Sequence, residues 1–130
     1  MNGIKLLLIS ACLAGGSAVV LGAFGAHGLK GRLTPDALLS FETGVRYQLI
    51  HALALFAAAW LADRYGSPLP LLAGGLWCAG IILFSGSIYL LATRTLLGIE
   101  GWRWLGPVTP LGGLCLIVGW ATLLVAVLRK

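Results

Sequence analysis

Leu6–Leu29, LLLISACLAGGSAVVLGAFGAHGL, places 24 residues without formal charge between Lys5 and Lys30. An α-helix needs about 20 apolar residues to cross the hydrocarbon core of a bilayer. The pattern repeats along the chain: Arg46 to Asp63 encloses 16 uncharged residues, Arg64 to Arg94 encloses 29, and Arg103 to Arg129 encloses 25. Of the 130 residues, 59% are hydrophobic and only 10% charged. The mean hydropathy of +0.98 lies far above that of a water-soluble domain. Lipid offers the backbone no hydrogen-bond partner, so an isolated loop or open sheet cannot span it. The chain therefore reads as an all-α integral membrane protein, a single four-helix bundle with spans near residues 4–27, 45–63, 69–93 and 107–128.

The first run contains Ile9-Ser10-Ala11-Cys12, the residue types of a lipoprotein cleavage box. The apolar stretch before it, Ile4 to Ile9, is shorter than the usual signal core and the run continues to His27. A retained helix is the expectation. The net charge of +5 is distributed over helix ends, where Lys and Arg meet headgroups, rather than gathered as a nucleic-acid stripe. Four spans place both termini on the side of the loop at residues 63–70. That side carries Lys5, Arg64, Arg129 and Lys130; the other carries Lys30, Arg32, Arg46, Arg94 and Arg103. The two sets nearly balance, so the positive-inside rule assigns no orientation. Cys12, Cys78 and Cys115 fall singly in three different apolar runs, with no metal-ligand spacing and no disulfide framework.

Small residues let membrane helices approach closely. Ser10, Ala14, Ala18, Gly22 and Ala26 recur every fourth residue in the first span, and Gly112, Cys115, Gly119, Thr122 and Ala126 form a 3-4-3-4 seam in the fourth. Both are expected packing faces. The second helix opens at Thr34-Pro35, a cap followed by a proline at the first helical position. Nothing then breaks it before Gly66, a length of 31 residues that exceeds the bilayer. Residues 35–46 mix charge with Leu and Phe and read as an amphipathic interfacial extension, or as the protruding end of one tilted helix. A polar stripe through Asp36, Ser40, Thr43, Tyr47, His51, Ala54 and Ala58 is expected to face the bundle, with Leu38, Leu49, Leu53, Phe56 and Trp60 towards lipid.

Gly22, Gly25, Gly28 and Gly31 surround His27 in GAFGAHGLKG. The preceding strand and following Lys-Ser/Thr of a phosphate loop are both missing, so these glycines read as a helix exit. His27 and His51 lie on the same membrane side. With Glu42, Arg46, Tyr47 and Gln48 they make a candidate polar cluster. Trp102, Arg103 and Trp104 read as interfacial anchors, rings at headgroup depth with arginine reaching phosphate.

GAFGAHGL followed by FETGVRYQLIHALAL resembles the signature half of the domain-of-unknown-function 423 family, the YgdD-like small inner-membrane proteins, with the eukaryotic transmembrane protein 256 as a distant relative. The motif positions shared are Phe24, Gly25, His27, Gly28, Glu42, Arg46, Tyr47, Gln48 and His51. The resemblance implies a multi-pass protein of the bacterial cytoplasmic membrane, and it implies no activity.

Three functions are then weighed. In the first, the chain is a structural or accessory membrane component that binds lipid, a second copy of itself or a larger membrane protein. Its histidines serve as glue that docks residues 35–46 on the first span. In the second, His27, Glu42, Arg46 and His51 handle a proton, an anion or another small ligand. In the third, the two histidines ligate one haem. No cofactor or metal site is expected otherwise. Enzyme chemistry is not expected either, since the sequence has no acyl-transfer triad, metal-ligand cluster or catalytic carboxylate pair.

Overall fold

The computed structural model describes residues 2–130 and is all-helical over them: α1 Gly3–His27, α2 Pro35–Tyr65, α3 Leu69–Gly80, a π-helical turn Ile81–Ser85, α4 Gly86–Ala92, the single turn α5 Arg94–Leu97, and α6 Leu105–Leu128. α3, the π turn and α4 make one rod, so four helices are long and apolar enough to cross a membrane. Local chemistry sets their limits. Asn2 Oδ1 accepts from Lys5 N at 2.8 Å, and Thr34 Oγ1 accepts from Ala37 N at 3.2 Å with Pro35 at the first helical position, each satisfying a donor that the first turn leaves open. α2 stops at Gly66, and Pro68 starts the next helix.

α2 is the central rod. It packs along α1 on one side and against α3, the π turn and α4 on the other, while α6 lies along α3 and the π turn. Of the two arrangements open for residues 35–46, the continuous helix forms: the amphipathic extension is the first three turns of α2 itself. Leu13, Val20, Leu53, Trp60, Ile82 and Ile117 are exposed around the outside, an apolar girdle suited to lipid and not to water.

The packing faces follow the sequence in part. In α6 the small-residue seam is the contact face, with Gly112, Gly119 and Ala126 buried. Approach there is backbone to backbone. A Cβ on Gly112 would run into Phe84 N, and one on Gly119 would stand 2.5 Å from Trp77 Nε1. In α1 the buried line is Leu7, Ala11, Ala18 and Gly25. Ser10, Ala14 and Gly22 only flank it, and Ala26 is exposed. Each four-residue step drifts about 40° on a helix of 3.6 residues per turn, so a strict four-residue repeat winds off the contact face, whereas a seven-residue one stays close to it.

The stripe expected to face the bundle from α2 is corrected in its first half. Asp36, Ser40 and Tyr47 are exposed, and the buried line there is Phe41, Gly44 and Gln48. Gly44 explains the rotation. A Cβ on it would be 2.8 Å from Tyr89 Cε1, so the bare backbone draws α4 to that line.

Candidate functional site

Gln48 is the buried polar hub of the bundle. Its Nε2 donates to Ala14 O at 2.9 Å and to Ser17 Oγ at 2.8 Å, and its Oε1 accepts from Tyr89 OH at 2.7 Å. One amide thus ties α1, α2 and α4 together, with both its donors and its acceptor in use. Two further bonds tie the third rod to its neighbours. Ser85 Oγ, at the end of the π turn, donates to Gly44 O at 2.7 Å, and Ser87 Oγ meets Thr109 Oγ1 at 2.6 Å, linking α4 to α6.

One turn beyond Gln48, His51 is buried against two indoles. Its Nδ1–H donates to Tyr47 O at 2.7 Å, and its Nε2 accepts from Trp120 Nε1–H at 3.0 Å. This pair of bonds specifies the neutral Nδ1–H tautomer. Trp77, wholly buried, presents an edge to His51 with ring centroids 6.0 Å apart and packs on Trp120 at 4.6 Å. Its own Nε1–H donates to Leu116 O at 3.2 Å. Among the described residues, no buried side-chain nitrogen or oxygen lacks a partner.

The candidate cluster therefore separates. Gln48 and His51 are interior, and Tyr47 sits at their rim against Phe84 with centroids 5.0 Å apart. His27, Glu42 and Arg46 are exposed. Residues 35–46 meet α1 through Phe41 and Val45, which lie against Gly25 and Gly22, and meet α4 through the Phe41 ring, 4.9 Å from that of Tyr89, and through Gly44. Both ring nitrogens of His51 are engaged within the bundle, whereas His27 is exposed at the end of α1. No group of three or more His, Cys, Asp or Glu among the described residues could hold a metal ion. The four glycines also divide. Gly22 and Gly25 lie inside α1, where a Cβ would stand 3.3 Å from Val45 Cγ1 and 3.0 Å from Phe41 Cδ1. Gly28 caps the helix, and only Gly31, at φ 81°, needs the left-handed region;. The pair Trp102 and Trp104 is exposed and mutually stacked, 5.6 Å between centroids, beside exposed Arg103.

Sequence reading passed over Trp77, Trp120, Tyr89, Ser85 and Thr109. A signal existed for the tryptophans. Aromatic belts sit at the ends of spans, so an indole in mid-run needs an internal acceptor for its N–H. A lateral cleft of about 400 Å³ opens between α1, α2 and the third rod, lined by Ser10, Ala14, Ser17, Gln48, Cys78 and Ile82 among others.

The family described as a protein of unknown function, DUF423, matches residues 21–113. The chain is 44% identical over 126 residues to the UPF0382 membrane protein YwdK of Bacillus subtilis, covering 96% of this chain and 98% of that one. It is 40% identical over 111 residues to a UPF0382 membrane protein of Haemophilus influenzae, covering 85% and 84%. It is also 43% identical over 116 residues to the UPF0382 membrane protein C1782.12c of Schizosaccharomyces pombe, covering 88% and 95%. No solved structure matches the chain.

Proposed function

We propose that this chain, which belongs to the DUF423 family of multi-pass membrane proteins, is a non-enzymatic accessory component of the bacterial cytoplasmic membrane that holds lipid or a protein partner. The observation that carries this reading is the closure of the polar interior. Gln48, His51, Tyr89, Ser85 and Ser87 are all spent on one another, on neighbouring hydroxyls, on an indole or on backbone. Polar groups used in this way act as glue between membrane helices. A proton relay or small-molecule site needs groups held in readiness for something else. The groups that are exposed, His27, Glu42 and Arg46, lie on the outside, where lipid or another protein meets them. Helical spans favour the cytoplasmic membrane over the outer membrane, whose spanning proteins are β-barrels. The lateral cleft beside Ser17 gives an acyl chain a place to lie.

The test is native mass spectrometry of the protein extracted gently from its own membrane. Retained phospholipid or a co-purifying membrane protein is the expected result. A stoichiometric haem or small soluble ligand, lost in His51→Leu, would overturn the proposal.

A further inference from the structure

At the end of the bundle away from the termini, a second cleft of about 590 Å³ opens between the α1–α2 loop, the first turns of α2, and α4 with α5. Two arginines line it from separate elements: Arg32 from the loop and Arg94 from the start of α5. Thr34, Ser40, Thr95 and Thr109 also line it, and Asp36 is the one carboxylate in the lining. Ile88 and Leu91 of α4 form an apolar wall.

The chain also sets the depth of this cleft. Arg94 ends the uncharged run 65–93, and Arg32 follows Lys30, which ends the run 6–29. The guanidiniums therefore stand where the hydrocarbon stops, while Ile88 and Leu91 belong to the run that spans it. The stacked pair Trp102 and Trp104, in the loop after α5, fits the same level. Two guanidiniums against one carboxylate leave one positive charge in excess. That matches the net single negative charge of an anionic phospholipid headgroup, which a choline cation would cancel, and guanidinium groups grip its phosphate oxygens bidentately.

We infer that the Arg32–Arg94 cleft binds the phosphodiester headgroup of an anionic phospholipid, with its acyl chains descending along α4. The inference rests on the lipid-holding reading proposed above and names the site and the lipid class. It is tested by retaining lipid on the purified full chain from micelles of phosphatidylglycerol and phosphatidylcholine in equal parts, read by native mass spectrometry. Wild type should keep phosphatidylglycerol in preference. Joint Arg32→Gln and Arg94→Gln replacement should cut that retention at least about tenfold, the loss of even a single charge-assisted hydrogen bond, while leaving the melting temperature unchanged because both side chains are exposed. Ser40→Trp, which blocks the cleft and leaves its charge alone, should cut retention too.

If wild type and both variants keep phosphatidylglycerol alike, the cleft is not the site, although the protein still holds lipid. If phosphatidylcholine is kept equally, the selectivity for anionic lipid is wrong. If glycerol 3-phosphate, which has no acyl chain, is retained as strongly as phosphatidylglycerol, the site takes a soluble phosphate and the lipid assignment falls. Retention of neither lipid overturns this inference together with the lipid arm of the proposed function, leaving only a protein partner.

Discussion

At the scale of single residues, Gln48 and Tyr89 share the decisive contact. The Gln48 amide is buried and accepts from Tyr89 OH at 2.7 Å, so removing either partner strands the other in a medium without water. Gln48→Leu should cost about 1–3 kcal/mol and Tyr89→Phe about 1 kcal/mol. The double variant should fall short of the sum by roughly 0.6 kcal/mol, the size of such couplings between membrane helices. A denaturation series in detergent measures all three. Strict additivity would show that the bond contributes nothing. Gln48 was legible as a polar residue of the motif, but its partner was not: Tyr89 lies 41 positions away. His51 teaches the same lesson. An ionisable residue among apolar ones reads as a functional candidate, and its ring is held by Trp120, 69 positions away.

At the scale of elements, the α6 seam meets the third rod where that rod takes its π turn. π turns interrupt the regular ladder and often mark places where a helix is made to fit a neighbour. Here the turn sets Ser85 against α2 and Phe84 backbone against Gly112. A methyl group at Gly112 meets main chain that cannot step aside, whereas at Gly113 it would find Phe84 Cδ2 at an ordinary 3.6 Å. Gly112→Ala should therefore destabilise by about 3 kcal/mol and Gly113→Ala by less than about 0.5 kcal/mol. Unfolding in a denaturing detergent compares the two, and equal losses would refute the close approach. The seam was readable because small residues at heptad spacing keep to one face. The π turn was not, since IILFS differs little from the apolar residues around it.

At the scale of the whole molecule, four spans require both termini and the turn at Gly66 to share one side, with Gly31 and Gly98 on the other. Reporter fusions at either terminus and at Ser67 should give one signal, and fusions at Lys30 and Gly101 the opposite one. A split between the termini would remove one span and with it the bundle. The balance of basic residues between the two sides leaves the direction of insertion to be read from the same fusions.

Length and hydropathy add up locally, and so the sequence by itself determined the class of protein, the number of apolar helices long enough to span a membrane, and the Thr34-Pro35 start of the second. Rotation of one helix against another is not a local quantity. Which line of α2 turns inward depends on where a bare backbone such as Gly44 admits a neighbour. Where Trp120 finds an acceptor depends on rods joined only through distant loops. The tertiary structure alone decided that His51 and Gln48 of the motif face inward while its His27, Glu42 and Arg46 face out, and it alone brought Arg32 and Arg94 to one cleft. In lipid, helices gain little from hydrophobicity towards each other, so these few contacts settle the packing, and they are made between residues that the sequence keeps far apart.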